Sequence, residues 1–124
     1  MGAINLDHKE SVEKIIEWAA DKKAEDIIHL DVKGKTDFTD SIIICNGTAE
    51  LHVRAIADYI LQKAKENNIQ SLSVEGMNTA SWILIDLADI IVHIFNIEKR
   101  NYYKIEDIYK IAPKARGKIE STND

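Results

Sequence analysis

The chain has 124 residues, enough for one domain whose core needs no disulfide or metal staple. Apolar residues make up 45% and charged residues 30%, a globular mix, and the net charge of -5 argues against a broad nucleic-acid-binding face, which needs excess Lys and Arg. A lone cysteine, Cys45, excludes an internal disulfide and no apolar run reaches membrane-spanning length, so the expectation is a cytoplasmic protein with no membrane contact and a bias toward basic partners.

The first helix is predicted from Asp7, which forms a capping pattern with Glu10 three residues on. Val12, Ile15, Ile16, Ala19 and Ala20 follow at helical spacing, and Lys22 and Lys23 suit its C-terminal end. Residues 27–33 alternate as a half-buried strand, and a polar turn region runs from Gly34 to Asp40. Residues 41–45 are apolar on both faces, the pattern of a central strand. Thr48 is the predicted N-cap of a second helix, with Val53, Ile56, Ala57, Ile60, Leu61 and Ala64 as its stripe and an end near Asn67 and Asn68. A third strand over 71–75 would complete a parallel crossover. After a loop from Gly76 to Ser81, residues 82–86 and 90–95 read as an antiparallel hairpin with a very short turn. Ile105, Ile108 and Tyr109 suggest a short last helix, and the tail from Pro113 is polar and expected to fray. The sum is a single α/β (α+β) domain over residues 1–112, a mixed sheet of about five strands with helices on its faces, followed by a tail over 113–124.

From Asp31 to Tyr109 the chain resembles the ribosomal silencing factor family (Iojap, YbeB or RsfS). The residues that carry this are Asp31-Val32-Lys33-Gly34-Lys35, Thr39-Asp40, Asn46-Gly47-Thr48, His52-Val53, Ala55-Ile56-Ala57-Asp58, Glu75-Gly76, Ala80-Ser81-Trp82, the run from Leu84 to Phe95, Arg100, Tyr102-Tyr103 and Ile105-Glu106. The resemblance implies a nucleotidyltransferase-like fold without the catalysis. It implies binding to the large ribosomal subunit at large-subunit ribosomal protein fourteen, a steric block to joining of the small subunit, and lowered translation when nutrients are scarce. It also implies a homodimer when free. One departure stands out: the family usually has glycine where this chain has Ala88, in the hairpin turn. If that position needs a positive φ, alanine costs about 1 kcal/mol there.

Trp82 is the first candidate contact residue. By pattern alone it is more often core, whereas the resemblance makes it the anchor of the ribosomal contact. Strand alternation puts Trp82, Leu84 and Asp86 on one face and Ile83 and Ile85 on the other. Ser81 adjoins it, and Leu87 at the hairpin tip is either a docking knob or an ordinary exposed leucine. Asp86 and Asp89 flank the tip as solvated turn acids able to meet Lys or Arg on a partner. His52, Arg54, His93, Arg100 and Tyr103 are possible supporting residues. Lys99, Arg100, Tyr102 and Tyr103 could touch RNA, but the acidic chain favours a structural role and little direct nucleic-acid contact.

The histidines show neither H-x-x-x-H nor C-x-x-C spacing, so no metal and no cofactor is expected. A metal-dependent nucleotidyltransferase would need an acid pair on a strand, and residues 71–75 offer Glu75 alone, so no catalytic residue is assigned. A homodimeric regulator without ribosome contact is the remaining alternative.

Overall fold

A computed structural model describes residues 6–100, with side chains through Glu98. The elements are α1 (His8–Asp21), β1 (Glu25–Asp31), β2 (Ser41–Gly47), α2 (Glu50–Glu66), β3 (Ser73–Glu75), β4 (Trp82–Asp86), β5 (Ile90–Asn96) and α3 (Ile97–Arg100). They form an α+β domain around one five-stranded mixed sheet of order β1-β2-β5-β4-β3. β2 and β5 pair in parallel, with Ile43 opposite Val92, and the other three pairings are antiparallel. The predicted hairpin is the β4–β5 pair, with Ile83 opposite Ile94. β2 and β3 do run in the same direction, but the hairpin lies between them, so the crossover over α2 spans two strands rather than joining neighbours. No helix among the described residues is long and apolar enough to cross a membrane.

α1 starts where the capping pattern places it: the Asp7 carboxylate accepts from the Glu10 N–H at 2.8 Å and Glu10 returns the bond to the Asp7 N–H at 3.1 Å. Its buried stripe is Val12, Ile15, Trp18 and Ala19, with Ser11 beside them, whereas Ala20 is exposed. α2 buries Val53, Ile56, Ala57, Ile60 and Ala64, and Leu61 only in part. Ala49, not Thr48, is the N-cap residue of α2, and it makes no side-chain bond. The Thr48 N–H donates instead to His52 Nδ1 at 2.8 Å, a ring acceptor taking the place of a hydroxyl cap.

Both long helices pack on the same sheet face. Their stripes meet Ile43, Cys45, Ile83, Ile85, Val92 and Ile94 in one core cluster. The opposite face carries a second cluster of Leu30, Val32, Ile42, Ile44 and Phe95, with Ile28 and Trp82 packed against it. No described helix contributes to that second cluster. Strand alternation explains the split, since odd positions of β2 point to the helices and even positions away.

Candidate functional site

β4 begins the region of interest. Ile83 and Ile85 are buried under the helices, while Trp82, Leu84 and Asp86 are half-buried on the opposite face. The loop before Trp82 is tightly placed. Gly76 has φ +90°, and a Cβ there would fall 2.1 Å from the Trp82 carbonyl oxygen, so only glycine lets the loop pass. Arg54 on α2 holds the same loop, its Nε donating to the Met77 carbonyl at 2.7 Å and an Nη to that of Asn78. The Ser81 carbonyl accepts from the Asn96 N–H at 3.0 Å, which joins the loop end to β5.

The indole is held by His93 and Phe95. Its Nε1–H donates to His93 Nδ1 at 2.9 Å. Its ring lies over Phe95 at 5.1 Å between centroids, tilted by 29°, and 5.8 Å from the imidazole of His93. Burial pushes the His93 pKa down to about 4, because a charged imidazole would lose its solvation there. His93 is therefore neutral at physiological pH, with Nδ1 the acceptor and the proton on Nε2. The result is a rigid aromatic platform, part of whose surface is open.

The hairpin tip corrects one expectation. Leu87 is buried, 5% exposed, and belongs to the helix-side core, so it is neither a docking knob nor an exposed leucine. Its N–H bonds the Ile90 carbonyl at 2.9 Å, and the next residue, Ala88, takes φ 73°. That left-handed step turns the chain so that Leu87 folds inward while Ala88 and Asp89 face out. Asp86 is a turn acid, accepting from the Ala88 N–H at 2.9 Å. Asp89 is exposed, and its carbonyl accepts from the N–H groups of Asp40 and Ser41 at 2.9 and 3.0 Å.

Of the supporting candidates whose side chains are described, His93 touches Trp82, and His52 and Arg54 serve other contacts. His52 joins the two helices, its Nδ1 accepting from Thr48 and its Nε2 donating to the Lys22 carbonyl at 2.7 Å. Arg54 serves the loop, and also lies 3.7 Å from Glu50. The Arg100 side chain and all of Tyr103 lie outside the described residues, as do the predicted last helix and the tail. On β3, Glu75 is exposed and no second acid alternates with it on that strand. Strand alternation placed Leu84 on the Trp82 face, but nothing in the sequence singled it out as a contact residue.

This architecture has close counterparts. The chain matches the family model described as "Ribosomal silencing factor during starvation" over residues 5–124. The chain belongs to the ribosomal silencing factor family. Ribosomal silencing factor RsfS of Bacillus subtilis is 41% identical over 109 residues, covering 87% of this chain and 92% of that protein. The crystal structure of a Chromobacterium violaceum protein superposes with a TM-score of 0.79 at 30% identity, covering 87% of this chain and 88% of that one. A more distant relative, at 22% identity, is mouse "Mitochondrial assembly of ribosomal large subunit protein 1"; the match spans 88% of this chain and 49% of that protein. The family's name describes a silencing factor, a regulatory protein.

Proposed function

We propose that this chain is a non-catalytic silencing factor that docks on the large ribosomal subunit at large-subunit ribosomal protein fourteen, blocks joining of the small subunit and represses translation during nutrient limitation. The observation that carries this reading is the family match over residues 5–124. The mouse relative, named for assembly of the ribosomal large subunit, supports the choice of subunit.

Trp82 supplies the anchor in this reading. Its ring is already immobilised by His93 and Phe95, so little rotamer freedom remains to be lost on docking. Leu84 extends the apolar strip along the same face, and Ser81, Asp86 and Asp89 border it with polar and acidic groups suited to a basic ribosomal protein. Leu87 has no part in the contact. Free of the ribosome, the chain pairs as a homodimer in the cytoplasm, which analytical ultracentrifugation checks.

Purified full-length chain should co-sediment with isolated large subunits and not with small subunits. Trp82→Ala should weaken docking about thirtyfold, the equivalent of a hot-spot loss of about 2 kcal/mol. Trp82→Phe, which keeps a ring on Phe95, should recover much of it. A folded Trp82→Ala variant that docks as the parent does removes the anchor, and a parent that ignores large subunits removes the function.

A further inference from the structure

Three segments distant in sequence converge at one end of the sheet: the start of α1, the residues leading into β2, and the β4–β5 turn. They bring together His8, Asp40 and Asp89, whose ring nitrogen and carboxylate oxygens, one from each residue, all lie within 4.8 Å of one another. His8 and Asp40 are half-buried and Asp89 is exposed. The backbone holds the two acids in register, because the N–H groups of Asp40 and Ser41 both donate to the Asp89 carbonyl. The carboxylates are therefore kept close despite their like charge.

The histidine is oriented as well. His8 Nε2 lies 2.8 Å from Ser41 Oγ, and that hydroxyl lies 3.1 Å from His29 Nε2. A hydroxyl has one proton to donate. Two chains of bonds satisfy all three groups, and the one that frees a lone pair runs from His8 Nε2–H to Ser41 Oγ, and from the Ser41 hydroxyl to His29 Nε2. In that tautomer His8 Nδ1 carries a bare lone pair. Nδ1 is buried and is the one buried side-chain polar atom among the described residues with no hydrogen-bond partner. Buried polar atoms are nearly always satisfied, so this one needs a reason.

We propose that His8, Asp40 and Asp89 bind a divalent transition-metal ion of the zinc or manganese type, with His8 Nδ1 as the nitrogen ligand and Ser41 as the residue that positions it. A cation takes up the uncommitted lone pair and offsets the repulsion between the acids in one step. One imidazole nitrogen with two carboxylate oxygens is a donor set for these ions rather than for copper(I), which prefers sulfur. A ligating histidine whose other ring nitrogen is hydrogen-bonded is the usual arrangement at metal sites. Three protein ligands leave coordination positions for water. The ion would clip the start of α1 to the hairpin tip. The sequence lacks metal-site spacing because each ligand comes from a different segment.

The test uses the full chain, treated with EDTA and dialysed, then titrated with Zn²⁺ by isothermal calorimetry with Tm recorded in parallel. One ion per chain and a raised Tm are expected. His8→Ala should abolish both responses, and Ser41→Ala should weaken binding about tenfold or more. Asp89→Asn alters an exposed group, so it serves should His8→Ala fail to fold, and it should also lose the ion. Absence of binding with both Zn²⁺ and Mn²⁺ overturns the site, as does undiminished binding in Asp89→Asn.

Discussion

At Ala88 the backbone stands at φ 73°, a conformation that crowds any Cβ. Ala88→Gly should therefore stabilise the domain by about 1 kcal/mol, read as a higher denaturant midpoint with an unchanged slope. An unaltered midpoint would show that the turn carries no such strain. His93 makes a second residue-scale claim. Its folded pKa, about 4, lies below the ordinary 6.5, so the unfolded chain takes up a proton first as pH falls. The contribution of neutral His93 is complete above about pH 6.5 and drains away as pH falls toward 4, amounting to about 3 kcal/mol over the window. Unfolding at neutral pH and at about pH 5 should show about 2 kcal/mol of this loss, and His93→Gln should flatten it. Protonated Nδ1 can no longer accept from the indole, so Trp82 fluorescence should change together with stability. An identical pH response in His93→Gln would assign the acid sensitivity to other groups. The strain at Ala88 was readable in the sequence as a departure from family glycine, but the inward turn of Leu87 was not. Burial of Leu87 follows from that one left-handed residue, which no periodicity encodes.

The helices were the most legible elements, because each has a repeating stripe and α1 also has its cap. Asp7→Ala should cost about 1 kcal/mol by removing the acceptor for the Glu10 N–H, measured as a lower Tm. A Tm equal to the parent's would mean that the cap is redundant. Trp18 escaped the stripe, since the pattern ran through Ala20 instead, and the real buried face lies slightly further round. Thr48 failed as a cap for a tertiary reason: His52 is drawn across to the Lys22 carbonyl and offers its other nitrogen to the Thr48 N–H. The strands were legible in type, while the side on which each helix lands was not. An amphipathic helix states that it has a face to bury, and connections in space decide which sheet surface receives it.

Across the whole molecule, β2 and β5 form the centre, both fully buried and flanked by neighbours, whereas β3 is a three-residue edge. Amide hydrogens of β2 and β5 should exchange slowest, near the rate of global unfolding, and those of β3 much faster. Equal protection along all five strands would contradict that gradient. The candidate contact face was half legible: alternation placed Trp82 and Leu84 together, but their partner His93 sits on the next strand and only the hairpin register brings it beneath the indole.

Strand order has a further consequence for biosynthesis. The strand at the middle of the sheet, β5, follows every other described strand in the chain. A nascent polypeptide halted before Ile90 has β2 open along one side, and β3 and β4 with nothing to join them to it. Sheet closure thus waits for translation to pass this point.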